Sequence, residues 1–431
     1  MKTETVVENG FKKTGIRLIP EDWKTVKLGD VAEISSGGSA PQGDNYFNGK
    51  NPFIRVQHID REGDKVIKWD LITDDAVKKY KLKIYPKGTI VFPKSGASIY
   101  LEKRAMLPID TYIVSHLCAV ISNDKNVNQK FLFYELRNIE LSKDKADGYP
   151  TLNLSEVKNV KVIIPSLSEQ QKIAFVLSKI QQAIEQQDRI IETTRELKKS
   201  LMNKLFTEGL HGEEQKETEI GLMPKSWGVT SIGEIAPFQG GFAFKSQEYH
   251  KAGVRLFKIA NVSFGKVIWE DISFLPEEYL TEYDEYILSE GDIVMAMTRP
   301  IVSGGIKVTK LSKVDCPCLL NQRVGRFQPA TMINPDFLYQ FLFTENFVNH
   351  ILYGAGGSQQ PNISANKIEE CLILLPTLPE QKEIANILLN VDKKLSQAES
   401  KKQTFQALFR TMLNQLMTGK IRVRDLDVEV N

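Results

Sequence analysis

At 431 residues the chain is longer than one hydrophobic core comfortably holds, which predicts two to three domains. Its hydrophobic content of 42% and charged content of 26% are those of an ordinary globular protein and exclude a disordered or fibrous chain. With 56 Lys and Arg against 54 Asp and Glu, the formal net charge is only +2, so any polyanion-binding face must come from local patches.

Residues 1–10 are polar and acidic and do not read as a signal peptide. No apolar run approaches the roughly 18–20 residues that cross a bilayer, so no membrane contact is expected. Ile19-Pro20-Glu21-Asp22-Trp23, Val26 and Leu28-Gly29-Asp30-Val31-Ala32 open a globular segment that runs to about residue 165. Short β-rich runs at 89–93 and 111–122 lie between Gly, Pro and Asn, 128–140 is a helix candidate, and 157–164 reads as an apolar strand stopped by Pro165. The segment predicts a mixed α/β head.

Past Pro165 the pattern changes to a long helix over 168–206. Ser168 is a plausible N-cap, and Glu169 suits the positive end of the helix dipole. Ile173, Leu177, Ile180, Ile184, Ile191, Leu201 and Leu205 recur in steps of three and four, the seam of a coiled coil, interrupted at Gln187, Thr194 and Lys198. A helix of this length spans roughly 58 Å. The linker 207–219, rich in Glu, Gly and Lys, follows.

The chain then repeats itself. Met223-Pro224-Lys225-Ser226-Trp227, Val229 and Ile232-Gly233-Glu234-Ile235-Ala236 answer the first opening at an offset of 204 residues. Leu256-Phe257-Lys258-Ile259 answers Phe53-Ile54-Arg55-Val56, Gly291-Asp292-Ile293-Val294 answers Gly88-Thr89-Ile90-Val91, and Phe337-Leu338 answers Phe131-Leu132. A strand is expected at 291–297, a helix at 335–353, and a final strand at 368–375 before Pro376. The second long helix, 379–417, begins with Pro379 in a permitted first-turn position. Its seam is Ile384, Leu388, Val391, Leu395, Ala398, Phe405, Phe409, Met412 and Leu416, interrupted at Lys402.

The offset between copies drifts through the heads and then locks at 211 (Glu169 and Glu380, Ile173 and Ile384, Leu205 and Leu416), with no insertion or deletion along the helix. A sequence that keeps a helix's length twice while its heads diverge is using that length. Two long helices in one chain, separated by a whole head, predict intramolecular antiparallel pairing and a C-terminus near the N-terminus. The fold class is therefore α+β: two mixed α/β heads joined by two long antiparallel coiled-coil helices in a pseudo-twofold internal repeat. The expected segments are a first head (1–167), a first long helix (168–209), a second head (210–378, with the linker 207–219), a second long helix (379–420) and a tail (421–431).

Catalytic motifs are missing. Gly43 to Lys50 superficially resembles a phosphate loop, but it has five spacer residues and ends on Asn51 instead of Ser or Thr. Asp22-Trp23-Lys24 is answered by Ser226-Trp227-Gly228, which fits a structural Trp better than a nuclease cluster. Cys316-Pro317-Cys318 lacks a second ligand pair at zinc spacing. The remaining cysteines, Cys118 and Cys371, complete no disulfide framework and suggest a reducing, cytoplasmic compartment. The five histidines are scattered. No catalytic residue, metal site or cofactor is expected.

The organisation resembles the DNA-specificity subunit of type I restriction–modification systems, along essentially the whole chain. The residues that carry the resemblance are Pro20 and Trp23 with Pro224 and Trp227, Pro165-Ser166-Leu167-Ser168-Glu169-Gln170 with Pro376-Thr377-Leu378-Pro379-Glu380-Gln381, and the Ile-Ala pairs that follow. Tyr46-Phe47 and Pro52-Phe53-Ile54 also look like the family's first recognition segment. The resemblance implies two target-recognition domains reading the halves of a split, asymmetric site in double-stranded DNA. It further implies helices that separate them and dock two methyltransferase subunits, joined by restriction (motor-nuclease) subunits, with no catalysis by this chain.

Phosphate contacts need Lys or Arg, and base edges favour Arg, Lys, Asn, Gln, Ser or His on loops. The candidates are Arg55, His58, Lys94, Ser95, Arg104 and His116 in the first head. In the second they are Lys258, Asn261, Arg299, Gln322, Arg323, Gln359 and Gln360. Lys172, Gln181, Arg189, Lys393 and Gln397 are the expected outward positions of the helices. The alternative is a non-enzymatic coiled-coil scaffold that binds proteins through its heads.

Overall fold

A computed structural model describes residues 10–60, 64–123, 125–143, 150–218, 221–302, 305–354 and 362–424. The linear segments regroup into two compact units, Met1–Gln187 with Lys401–Asn431, and Asp188–Ser400. Each unit holds one head with part of both long helices.

Both heads are built alike. A hairpin (Phe11–Lys13 with Leu18–Pro20; Gln215–Thr218 with Gly221–Pro224) leads to the buried Trp. The next strand pairs antiparallel with the strand that enters the long helix, Lys24–Lys27 with Lys161–Ile164 and Gly228–Ser231 with Leu372–Leu375. Between these lie two four-stranded sheets. In unit 1 one sheet runs Asp70–Ile72, Phe47–Ile54, Thr111–Ile113, Ile84–Tyr85, and the other Ala32–Ser36, Leu117–Ser122, Ile90–Pro93, Ala105–Met106. Unit 2 repeats the order with Phe274–Leu275, Val254–Phe257, Cys318–Leu320, Ile287–Leu288 and with Phe238–Gly240, Val324–Phe327, Ile293–Ala296, Val308–Lys310.

The inner strand of the second sheet shows why its sequence is uniformly apolar. Ile90 and Phe92 face the core shared with the head helix and the long helices, while Val91 faces the core of the first sheet. Ile293 and Met295 divide from Val294 and Ala296 in the same way. A strand buried on both faces has no polar side to alternate with.

Some sequence expectations need correction. The run 111–122 is two strands in different sheets, broken at Val114–His116. The runs 157–164 and 368–375 each begin as a helix (Leu154–Asn159, Ala365–Glu369) before the strand. The run 335–353 is two helices, Pro335–Phe341 and Glu345–Gly354, because Thr344 caps a new start through its hydroxyl to the Phe347 amide. Residues 43–51 form a 3-10 turn and part of a strand.

The long helices span Leu167–Thr207 and Leu378–Met417. The first is capped by Ser166 instead of Ser168, its hydroxyl accepting from the Glu169 amide at 3.3 Å. Ile173, Leu177, Ile184, Ile191 and Leu205 are buried on one helix and Ile384, Leu388, Val391 and Leu416 on the other. Ile180, Leu201, Leu395, Phe405 and Met412 are half-buried. In unit 2 the helices run antiparallel, Arg195 meeting Glu399 at 2.8 Å and Lys198 meeting Asp392 at 2.6 Å. Lys198 thus occupies its seam position as half of an ion pair, and Asp392 also accepts from Gln340 at 2.8 Å.

The repeated Glu-Gln pair fastens each long helix to its head. Trp23 Nε1 donates to Glu169 at 3.1 Å and Trp227 Nε1 to Glu380 at 3.0 Å. Gln170 donates to the carbonyls of Pro165 and Asn126, both at 2.9 Å, and accepts from the amide of Asn128, which caps the head helix Gln129–Arg137. Gln381 does the same with Pro376, Met332 and the capping Asn334. These four polar side chains are buried, and their hydrogen bonds offset the desolvation that burial costs.

The second carboxylate oxygen receives the chain that follows the opposite helix. Arg422 Nε donates to Glu169 at 2.7 Å, and the Leu210 amide to Glu380 at 3.1 Å. Within unit 1 the C-terminal segment therefore lies against the N-terminal one, where Arg422 also pairs with Asp22 at 2.6 Å and Arg17 Nη2 donates to the Met417 carbonyl at 3.0 Å.

Gly419 makes that return possible: it holds φ +70°, and a Cβ there would stand 2.3 Å from Pro20 Cγ. Gly419→Ala should cost about 2 kcal/mol or more, from left-handed backbone strain and collision together. Gly212→Ala, at φ +60° with nothing within 4 Å, should cost only the backbone part. Urea titrations of the two variants check the difference.

Candidate nucleic-acid interface

In each head the chain crosses from the first sheet to the second through a three-residue turn. In unit 1 it is Val114-Ser115-His116, closed by Leu117 N donating to Val114 O at 2.9 Å. In unit 2 it is Asn321-Gln322-Arg323, closed by Val324 N to Asn321 O at 3.3 Å. A second segment, leaving the buried inner strand, runs against each turn. Lys94 N donates to His116 O at 2.9 Å, and Met297 N donates to Arg323 O at 2.7 Å. A third segment joins by bridges, Ser95 with Thr151 and Thr298 with Asn362.

A fourth segment passes so close that only glycine fits. A Cβ on Gly37 would lie 2.1 Å from the Ile113 carbonyl oxygen, and one on Gly241 2.2 Å from that of Asn321. The following residues, Gly38 and Phe242, accept from Ser115 N at 2.7 Å and Gln322 N at 2.8 Å. The equivalent positions of the two heads are thereby fixed in space: Gly38 with Phe242, Lys94 with Met297, Ser95 with Thr298, Gly96 with Arg299, Ser115 with Gln322, and His116 with Arg323. The hydrogen-bond frame is common, but Arg323 stands at φ 68° where His116 keeps a negative φ, and the side chains differ.

Lys94, Ser95 and His116 come together on this edge of unit 1, with Ser95 Oγ hydrogen-bonded to His116 Nδ1 and His116 exposed. Arg299, Gln322 and Arg323 come together on the same edge of unit 2, all three exposed. Arg299 and Arg323 hold φ of 47° and 68°, a conformation that strains any residue with a Cβ.

Other candidates lie elsewhere. His58 and Asn261 are buried and equivalent: His58 Nδ1 accepts from Arg55 N at 3.1 Å and Asn261 Oδ1 from Lys258 N at 2.8 Å, each tying a 3-10 turn. Burial holds the His58 ring below the ordinary histidine pKa against the opposing pull of Asp70. Arg55 Nε meets Asp70 at 2.6 Å, and Lys258 Nζ meets Asp271 at 2.8 Å and Ser273 at 2.9 Å, so both cations are matched internally. Arg104 is buried at 3% exposure, 5.0 Å over the Phe92 ring and paired with Glu102. His58, Asn261 and Arg104 therefore do not reach an outer surface, a correction that residue type alone could not supply. Gln359 and Gln360 lie outside the described residues. The sequence reading missed Ser115 and Phe242. The offset changes from 203 at Thr298 to 207 at Arg323, and aligning that turn separately would have found Ser115 opposite Gln322, whereas Phe242 stands opposite Gly38 with no signal in the sequence.

The chain matches the model of the type I restriction modification DNA specificity domain twice, over residues 20–194 and 224–404. It is 33% identical to the type I restriction enzyme MjaVIII specificity subunit of Methanocaldococcus jannaschii, covering 97% of this chain and 98% of that relative. In fold it is similar to the crystal structure of a type I restriction-modification system S subunit from M. genitalium, with a TM-score of 0.59, 16% identity, and coverage of 91% of this chain and 96% of that one. A second structure, described as the structural basis of complex assembly and conformational transition of the type I R-M system, aligns with a TM-score of 0.51 at 16% identity over 94% of this chain and 99% of that one. No helix among the described residues is long and apolar enough to cross a membrane.

Proposed function

The chain belongs to the type I restriction–modification DNA-specificity family, and from that premise we propose how its two units divide the reading of one DNA site. It is a sequence-specific DNA-binding specificity subunit of such a system. Each unit reads one half of a bipartite, asymmetric double-stranded site. The observation that supports this is the shared hydrogen bond, Lys94 to His116 and Met297 to Arg323, which holds the same edge in both heads while the side chains on it differ. A shared hydrogen-bond frame places both edges alike against phosphates, and different side chains choose different bases. Lys94, Ser95 and His116 are the reading residues of one half, and Arg299, Gln322 and Arg323 those of the other. Gln359 and Gln360 join the second set by residue type. Arg55 and Lys258 flank the turns that His58 and Asn261 tie, and Arg104 packs on Phe92 of the inner strand that leads to Lys94.

The chain supplies specificity and leaves methyl transfer and cleavage to partners in the cytoplasm. Two methyltransferase subunits dock on the outward faces of the long helices, where Arg189, Lys393 and Gln397 are exposed, and restriction subunits complete the assembly. Family membership favours this over a protein-binding scaffold with no role at DNA.

The repeated helix length sets the spacer between half-sites. Removing one heptad from both helices should shorten that spacer by up to about three base pairs, since seven residues of helix rise by about 10 Å. Sequencing the methylated sites of cells that carry the variant measures this. An unchanged spacer rules out the helices as its determinant.

A further inference from the structure

Among the described residues, the two heads differ in which arginines they leave available. In unit 1 every described arginine of the head is engaged: Arg17 with Glu135, Arg55 with Asp70, Arg104 with Glu102 and Arg137 with Asp64. In unit 2, Arg255 donates to the Val314 carbonyl and lies over Trp269, and Arg326 is held by Gln239 and Asp292. Arg299 and Arg323 are the exceptions, both exposed and with no side-chain hydrogen bond or ion pair to another described residue.

Their backbone makes the choice of arginine costly. Both stand at positive φ, where glycine is unstrained, and unit 1 has Gly96 (φ 76°) at the position of Arg299. Arginine brings no local hydrogen bond of the kind that lets Asn or Asp tolerate this conformation. Lys81 and Glu102 hold similar φ, so the strain alone assigns no role; at Arg299 and Arg323 it coincides with an exposed guanidinium that has no side-chain partner among the described residues. A planar fork of N–H donors matches the O6 and N7 acceptors that guanine presents in the major groove, the most frequent specific contact in protein–DNA recognition. Lysine, serine and histidine, the residues of the unit 1 edge, do not offer that fork.

We infer that the half-site read by unit 2 contains guanine recognised by Arg323, with Arg299 reading a second guanine or its neighbour, and that no described arginine of unit 1 reads its half. This rests on the assignment of the two turns as the base-reading edges.

The test is selection from random-sequence DNA by the full chain together with its modification subunits, comparing the natural chain with Arg323→Gly, Arg299→Gly, Arg323→Lys and, in unit 1, His116→Ala. Glycine keeps the backbone conformation while removing the side chain, so misfolding does not explain a loss. Arg323→Gly should abolish preference for guanine at one position of one half-site, a loss of about 10- to 100-fold in discrimination, and leave the other half unchanged. Arg323→Lys should retain binding without restoring that preference.

Three results overturn the inference: an altered position that is not guanine, unaltered preferences, or an even loss on all sequences with a shallower salt dependence, the mark of a phosphate contact. If His116→Ala changes the other half while the arginine variants change nothing, guanine reading fails and the edge assignment stands. If none of the variants changes any base preference while the natural chain still selects a split site, the edge assignment fails as well.

Discussion

Trp227→Ala should destabilise unit 2 by about 3–5 kcal/mol, before counting the partner it abandons. The indole is buried at 1% exposure, and its Nε1 is a donor to Glu380, itself only 5% exposed. Losing the indole leaves that carboxylate oxygen without its donor in a place water does not easily reach, which adds about 1–3 kcal/mol. Trp227→Phe separates the two contributions, since it keeps most of the packing and removes only the donor. Urea unfolding followed by circular dichroism, with mass-spectrometric mapping of proteolytic cuts to locate the opening, measures both. Equal losses for the Ala and Phe variants would make the hydrogen bond to Glu380, and not the packing, the larger contribution. The equivalent Trp23 has an additional neighbour, the Arg422 guanidinium 5.8 Å over its ring, so the same substitution there also loosens the C-terminal segment.

Arg17→Met should cost unit 1 about 3–5 kcal/mol at neutral pH, because it strands a buried charge. Glu135 is wholly buried and held by Arg17 at 2.6 Å, with its other oxygen accepting from the Ile163 amide at 2.9 Å. Burial pushes this carboxyl above the usual carboxylate range even with Arg17 present, and removing the cation pushes it further. A folded-state pKa above the unfolded one means that folding takes up a proton. The stability is then held below the unfolded pKa and lost as pH rises through the folded one. The deficit of Arg17→Met should therefore shrink on acidification from about pH 8 towards about 5, and Glu135→Gln added to it should remove most of the pH dependence. Paired urea titrations across that range check this. A deficit that does not change with pH would place the loss in the Arg17 contact to the Met417 carbonyl.

The chain's repeat, its long helices and their ends were legible from the residues because each depends on local rules. The helix ends lie within a residue of the expected 168–206 and 379–417 (Leu167–Thr207 and Leu378–Met417), two or three residues short of the segments expected to end at 209 and 420. Prolines and three-four apolar spacing act over a few neighbours, though Ser166 and not Ser168 caps the first start. The strands were harder to place. The apolar runs at 157–164 and 368–375 conceal a helix and a strand each, because a short buried helix and a buried strand present the same hydrophobic run.

What the sequence determined by itself was the α+β repeat, the length-matched helix and the family, which reside in order and spacing along one dimension. Only the tertiary structure decided which polar residues share a surface. Arg104 and Arg323 are alike as letters, yet one is sealed over Phe92 beside Glu102 and the other stands exposed on a turn. Lys94 meets His116, and Met297 meets Arg323, through strands that pair across intervals of more than twenty residues. Such partners are selected by burying two faces of one sheet at once, a condition set by the whole head and by no stretch of it.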